Sequence, residues 1–483
     1  MEEKLEQTEY RQGIISYING QENVERKSKS LEDTQVYSGD IYPYVLKKFQ
    51  DVYKAETVNE IPIVSTINVS EKVINSTASI YKDAPERSFH DVSEEQAETL
   101  DAVYNDMWFD TKMLSANRYF KLQKQTHVIV LPKAEKLQAR ILKQHQLDVI
   151  PFSNDPEAGE VYILTGFDKS LSTLRTEAGN GIDEPIADED DYKASITRHV
   201  VWSKNYHFVM NGRGAIISGE DIANPIGMIP IVEISEDKDM EYFIQFVNND
   251  TKFTVEYNEA LSNQALVVKM QGFSQAVMMA PAELMPTSMT VGPTKIIKVI
   301  TDGNIEGEVD FKFVNPGSDL AGVQSHTESL LSQYLSSKGL DANAITGNAS
   351  NSAGHASGVS KLLAMVERFE ASKDDLARFE QAEKNLFKVV RAWLNDAQEV
   401  LDEKYTIGNL SDNSSLSVQY KEPTAVMSEV ETLDVIERKL DMGLISRVEA
   451  IAKDRNITDE QAQEIANEIE QTEVLEEGSI TEV

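Results

Sequence analysis
The spacing of apolar residues changes repeatedly along the chain, and each change marks a different kind of element. In Asp33–Lys54 the positions Val36, Tyr42, Val45, Leu46, Phe49 and Tyr53 fall near helical spacing, with Pro43 placing a start nearby. The apolar run Ile61–Val69 leads into a helix through Val73, Ile74 and Ile80, which Pro85 is expected to stop. Ser93-Glu94-Glu95-Gln96 spells a capping box, and the helix it opens should reach about Ala116. Its apolar face includes Leu100, Val103, Met107, Trp108 and Met113.

From Tyr119 to Asp250 short β-type runs take over: Val128–Leu131, Leu147–Ile150, Val161–Leu164, His199–Trp202 and His207–Met210. Turn pairs such as Asn180-Gly181 and Asn211-Gly212 separate them, which predicts an antiparallel region with Asp188–Asp191 in an exposed acidic loop. A helix is expected over Val255–Ala280, with Val267, Val268, Met270, Phe273 and Val277–Met279 making its second half strongly apolar. Pro281, Pro286 and Pro293 break it, and Ile296–Ile300 and Val309–Val314 suggest a hairpin across Asp302-Gly303-Asn304. A second helix should run from Asp319 to Lys338, ended by Gly339, before a loop over 341–358 dense in Asn, Ser, Ala and Gly. The longest helix is expected over Val359–Leu401, with Leu362, Val366, Phe369, Leu376, Phe379, Leu386, Val390 and Trp393 on one stripe. A strand Leu416–Tyr420 follows. The capping boxes Ser428/Glu431, Ser446/Glu449 and Thr458/Gln461 then predict three short helices separated by Gly443 and Asn456, with fraying from about Glu473.

At 483 residues the chain exceeds one ordinary core, and two to four units are expected. With 41% apolar and 26% charged residues it can bury real cores. It has no cysteine, which excludes disulfides, thiolate metal sites and cysteine nucleophiles and points to the cytoplasm. No run of eighteen apolar residues exists, and Met1–Leu5 is charged where a signal peptide is apolar. A soluble chain without a cleavable signal is expected. The formal charge of −35 should repel nucleic acid on average, since phosphate-gripping proteins are normally basic. Solubility is the plain reading of it, and a surface that lets DNA pass without holding it is the sharper one.

Enzyme signatures are lacking. There is no Walker-type phosphate loop, and Gly212 and Gly214 lack the third glycine of a dinucleotide fingerprint. Asp302, Asn304, Glu306, Gly307 and Asp310 imitate part of a calcium loop, but Phe313 stands where its bidentate acid belongs. The histidines 90, 127, 145, 199, 207, 326 and 355 show no metal-ligand spacing, though His199 and His207 could face each other across a hairpin. No metal or cofactor is expected. The basic stretch Lys121, Lys124, Lys133, Lys136, Arg140 and Lys143 reads as a solvated β edge, or as a contact with nucleic acid or an acidic partner.

Four segments in order resemble tailed-bacteriophage portal proteins, the head-to-tail connector family. They are Asn75–Tyr81 with Pro85, then Asn224-Pro225-Ile226-Gly227-Met228-Ile229-Pro230-Ile231-Val232, then Phe313–Leu320 ahead of a helix, loop and long helix, and finally Gly443-Leu444-Ile445-Ser446. The resemblance spans about residues 60–470 and implies an α+β, mainly α, portal fold. Residues 1–254 and 359–427 would form a wing of helices and antiparallel β structure. Residues 255–280 and 318–339 would form a two-helix stem, 281–317 a β-containing clip, 340–358 a tunnel loop and 428–483 a helical crown with an acidic tail. It implies no catalysis, but a closed homo-oligomeric ring, generally twelve-fold, at one capsid vertex of the virion, assembled in the host cytoplasm. Double-stranded DNA would be packaged and ejected through it. Terminase and head-completion or adaptor proteins would dock on the clip, with the major capsid protein or scaffold as a further partner and no membrane. Tunnel candidates are Lys338, Asn343, Asn348, Ser350, Asn351, Ser352, His355 and Ser357, and clip candidates are Glu283, Lys295, Lys298, Asp302, Asn304 and Glu306. The rivals are another virion ring component such as a head–tail adaptor, or a metal-dependent nuclease or hydrolase.

Overall fold
The computed structural model describes residues 5, 7–168, 196–218, 222–271, 275–280, 297–300, 310–314, 320–340, 373–405, 408–420, 436, 440, 445–455, 462–463 and 465–467. Two compact units divide the chain: residues 1–348 with 371–421, and 349–370 with 422–483. The first is an α+β unit.

Its N-terminal helices are α1 (Thr8–Ile18), α2 (Gln21–Tyr37), α3 (Tyr42–Val52), the short α4 (Ala55–Val58) and α5 (Val69–Thr77). Pro43 sits in the first turn of α3, as expected, because its missing N–H is unused there. Pro85 is not what ends α5. That helix stops at Thr77, whose hydroxyl donates back to the carbonyls of Val73 and Ile74. Strand β1 (Glu86–His90) follows, then α6 (Glu94–Asp106) and α7 (Phe109–Gln123). Both hydrogen bonds of the Ser93/Gln96 box are present at 3.0 and 3.2 Å. The single helix expected to Ala116 is two, because Trp108 adopts a left-handed φ of 53° between them and points out of the core.

Two antiparallel sheets fill the expected β region. One has the order β3–β2–β8, from β2 (Gln125–Lys133), β3 (Lys136–Leu142) and β8 (Ile231–Ser235). The other has the order β4–β5–β6–β7, from β4 (Leu147–Phe152), β5 (Asp155–Phe167), β6 (Thr197–Trp202) and β7 (His207–Asn211). Residues Tyr119–Gln123 still belong to α7. Later come α8 (Asn249–Gln271), β9 (Gln275–Ala280), β10 (Ile297–Ile300), β11 (Asp310–Val314), α9 (Leu320–Ser337), α10 (Lys373–Asp396) and β12 (Ser415–Gln419), which pairs antiparallel with β1.

The largest core lies between α6, α7, α10, the three-stranded sheet β3–β2–β8 and the β1–β12 pair. Phe379, Leu386, Val390 and Trp393 of α10 are buried in it, and the Trp393 indole donates to the Val130 carbonyl at 2.9 Å. The helix ends at Asp396, short of the expected Leu401, and a 3-10 turn Gln398–Val400 follows. Glu383 sits inside this apolar stripe, fully buried. Its Oε2 accepts from Arg87 Nε at 2.7 Å, while Oε1 accepts from Arg87 Nη2 at 3.1 Å and from the Tyr81 hydroxyl at 2.7 Å. Burial pulls the Arg87 guanidinium down, but Glu383 and Asp110 outweigh it and hold it above its ordinary value.

A second core joins α1 to the four-stranded sheet. Arg11 fastens it, its Nε donating to the Gly214 carbonyl at 2.7 Å in the turn after β7. Asp148 of β4 accepts from Arg26 and Lys27 of α2 at 2.6 and 3.0 Å.

In the second unit, helix α11 (Arg447–Arg455) opens on the expected Ser446/Glu449 box, with hydrogen bonds of 2.8 and 3.1 Å. The Asn180-Gly181 turn, the Asp188–Asp191 insert, the helix start at Val359, the boxes at 428 and 458, Gly443, Asn456 and the tail lie outside the described residues.

Candidate functional site
One helix precedes and one follows a small three-stranded sheet along the segment where the stem and clip were expected. Helix α8 begins at Asn249, just after Asn248, whose Oδ1 accepts from the Asp250 and Thr251 amides at 2.7 and 3.1 Å. The helix therefore starts six residues before Val255, on a cap that the Asn-Asn-Asp run could have disclosed. It ends at Gln271, and Gln275–Ala280 is the strand β9 rather than the helix's second half. A short apolar run fits a buried helix or a buried strand equally, and here two pairing partners decide for the strand.

Those partners overturn the expected hairpin. Strands β10 and β11 do not pair with each other; β9 lies between them, in the order β10–β9–β11. Ile297–Ile300 runs parallel to Val277–Ala280, and Asp310–Val314 runs antiparallel to Gln275–Met279. A parallel pair needs a long connection, and residues 281–296 separate β9 from β10 in the chain; the expected turn at Asp302-Gly303-Asn304 lies outside the described residues.

Helix α9 returns beside α8 and ends next to Gly339 at φ +66°, a left-handed position that suits glycine. Thr327, Leu331 and Leu335, every fourth residue, are its buried stripe. Leu331 and Leu335 pack with Val69, Val73, Tyr257 and Leu340. The Tyr334 ring stacks on Phe253 of α8 at 3.7 Å with an interplanar angle of 4°. Its hydroxyl donates to Asp250 Oδ1 at 2.5 Å, and Lys338 Nζ pairs with the same oxygen at 2.9 Å. Burial, then Asp250, raises the Tyr334 phenol well above its ordinary value. Most of the rest of α9 faces outward and carries one acid, Glu328, and no lysine or arginine. Val323 and Leu330 lie on that exposed surface.

The other face of α8 carries Thr254, Asn258 and Ser262, all buried. These bind the backbone of residues 64–70: Ser70 N–H to Thr254 at 2.8 Å, Ile67 to both ends of Asn258, and Val64 N–H to Ser262 at 2.8 Å. The sequence reading missed this trio, although their i, i+4, i+8 spacing in a helical stretch was visible.

Of the tunnel candidates, Lys338 is described and carries the Asp250 ion pair, while Asn343, Asn348, Ser350, Asn351, Ser352, His355 and Ser357 lie outside the described residues. Of the clip candidates, Lys298 falls in β10, and Glu283, Lys295, Asp302, Asn304 and Glu306 lie outside. The basic stretch is largely matched within the chain. Lys121 pairs with Asp375, Lys124 with Glu236 at 2.5 Å, Lys136 with Asp106 at 3.3 Å, and Lys143 sits 4.8 Å from the Tyr119 ring.

His199 and His207 do not face each other; His199 is opposite Met210, and His207 is opposite Trp202 and stacks on it at 3.6 Å. His127 Nε2 lies 2.8 Å from the Tyr242 hydroxyl. Among the described residues no three His, Asp or Glu side chains gather as a metal site. Nor is any described helix long and apolar enough to cross a membrane.

The Asn224–Val232 run forms a turn closed by Asn224, whose Nδ2 donates to the Ser203 and Met228 carbonyls at 2.7 and 2.8 Å. Gly227 takes a φ of +60°, and the run continues into β8 beside β2. No protein-family model matches the chain, and no curated protein matches it.

Proposed function
We propose that this chain is the repeating subunit of a tailed-phage portal, a homo-oligomeric ring at one capsid vertex through which double-stranded DNA is packaged and ejected. One observation carries the reading. In a chain with a net charge of −35, the outward surface of α9 is almost free of charge, while its buried stripe packs on the first half of α8, and the β9–β11 sheet lies between the two helices in the sequence. Interface centres are depleted of charged side chains, and a ring closes when each subunit offers two complementary flanks. In this reading α8 and α9 are the stem and the β9–β11 sheet belongs to the clip, where terminase and head-completion proteins dock. Residues 340–358 are the tunnel loop, residues 1–254 and 359–427 the wing, and 428–483 the crown.

The charge then acquires a role. Twelve copies make a strongly negative assembly, in which a duplex forms few lasting phosphate contacts and slides. The pairing of Lys338 with Asp250 fits such a channel, because the cation nearest the loop is already balanced. Negative-stain imaging of the purified chain tests the proposal. Closed rings with a central hole are expected, and a monomer under every condition of salt and concentration would sink it.

A further inference from the structure
Trp108 is out of place for its chemistry. It is 71% exposed, whereas the chain's other two tryptophans, Trp202 and Trp393, are 2% and 3% exposed. Its φ of 53° is a left-handed conformation that a bulky side chain seldom adopts, and strain of this kind collects at functional positions. Beside the indole lies a cleft of about 250 Å³, walled by Tyr104, Phe109, Asp110 and Thr111.

The cleft is preformed. Arg87 lies at its floor, held by Glu383 and by Asp110 at 2.7 Å. At the end of α6, Asp106 accepts from Lys404 at 2.8 Å, from Lys136 and from the Tyr405 hydroxyl. Tyr104 walls the cleft with its ring, and its buried hydroxyl has no hydrogen-bond partner among the described residues.

Charge decides what fits. Glu94, Glu98, Asp101 and Asn105 recur at helical spacing along one exposed stripe of α6 that leads to Trp108. Glu94, Glu98 and Asp101 make no ion pair with a described residue; of the nearby cations Arg87, Lys136 and Lys404 are bound to acids, and Lys112, one turn after Trp108, has no acid partner among the described residues. Nucleic acid is disfavoured by that field. An exposed indole with acids around it suits a cation above the ring.

We propose that this cleft docks a basic segment of a partner protein, with a lysine or arginine over Trp108 and flanking cations along Glu94, Glu98 and Asp101. The proposal is independent of the portal reading.

A tetra-arginine peptide titrated into the full chain provides the test, followed by calorimetry and by tryptophan emission, which Trp108 dominates in its response to solute. Saturable binding is expected, weakened about tenfold by W108A and by E98K/D101K, less by W108F, and within about twofold of the parent for the charge-matched control E22K/E25K on α2. Equal affinity of W108A and W108F with the parent would overturn the proposal. So would an equal loss in the control, which would mean general attraction to an acidic protein. If W108A instead breaks up a homo-oligomer in sedimentation, the occupant is a second copy and the basic-partner assignment is wrong.

Discussion
Asn258 holds Ile67 as a neighbouring strand would: its Oδ1 accepts from the Ile67 amide at 3.2 Å, and its Nδ2 donates to the Ile67 carbonyl at 2.7 Å. One helix turn away on either side, Thr254 and Ser262 accept from Ser70 and Val64. Residues 62–68 thereby have backbone partners without belonging to a helix or a sheet. The apolar side chains of Ile61 and Ile63 pack with Val36, Val45 and Phe49.

Replacing Asn258 with alanine leaves the part-buried Ile67 N–H and C=O without these partners, which costs about 1–2 kcal/mol. Urea unfolding monitored by circular dichroism checks this. A loss under about 0.5 kcal/mol would show that water takes over the Ile67 backbone groups.

The Arg87–Glu383 pair should behave as a buried unit. Removing either partner alone (R87M or E383A) strands the other charge and costs about 3–5 kcal/mol. The double variant should lose less than the sum, and a double-mutant cycle on unfolding free energies measures the difference. Strict additivity would mean that the two side chains act separately.

Stability should fall as pH drops from about 6.5 to about 4. Burial lowers His127, His145 and His199 to about 4, with Lys143 adding to the effect at His145 and Lys27 at His199. The folded state therefore stays neutral where the unfolded chain, near 6.5, takes up protons, and that proton uptake favours unfolding. His127→Gln, which preserves a hydrogen bond to Tyr242, should flatten part of the acid limb in melts taken at stepped pH.

Asp33 acts in the opposite sense. Burial raises its carboxyl to about 7 despite the hydrogen bond from Thr251. The folded state holds a proton there that the unfolded chain gives up near 3.8, so this stabilising contribution is lost as pH rises through about 7. Asp33→Asn should raise the melting temperature at pH 8 more than at pH 5, and equal shifts at both would contradict the assignment.

Gly159 faces Pro151 across the irregular start of the β4–β5 ladder, and a Cβ there would meet the Tyr162 ring and Val149 Cγ1 at 2.6 Å. Gly159→Ala should destabilise by about 1–3 kcal/mol through overpacking, measured by thermal unfolding.

Lys338 and Asp250 tie the end of α9 to the start of α8. Lys338→Glu sets two carboxylates together and should loosen the helix pair by about 1 kcal/mol, and adding Asp250→Lys should restore it. Reversed charges that fail to rescue stability would show that the pair contributes nothing to α8–α9 packing.

Much of this protein was legible in its sequence because the decisive interactions are local. The capping boxes at Ser93 and Ser446, Pro43 in the first turn of α3 and Gly339 after α9 each act within a few residues, so their chemistry is written in order along the chain. The short β-type runs inside β2, β4, β5, β6 and β7 stood out between turn signals, β2 and β4 being buried on both faces, and the stripe of α10 stood out by its helical period. Sequence-distant partners decided the rest. Whether Gln275–Ala280 is helix or strand depended on two strands brought to its flanks, and the expected hairpin failed because β9 took the place between them. Trp108 has the apolar character of a core residue, yet the break between α6 and α7 turns it outward. Glu383 has the character of a surface acid, yet Arg87 and Tyr81, about 300 residues earlier in the chain, satisfy it inside the core. Local propensity determines which elements are possible; long-range pairing and burial determine which of them form, because only there can a polar group or a strand edge find its partner.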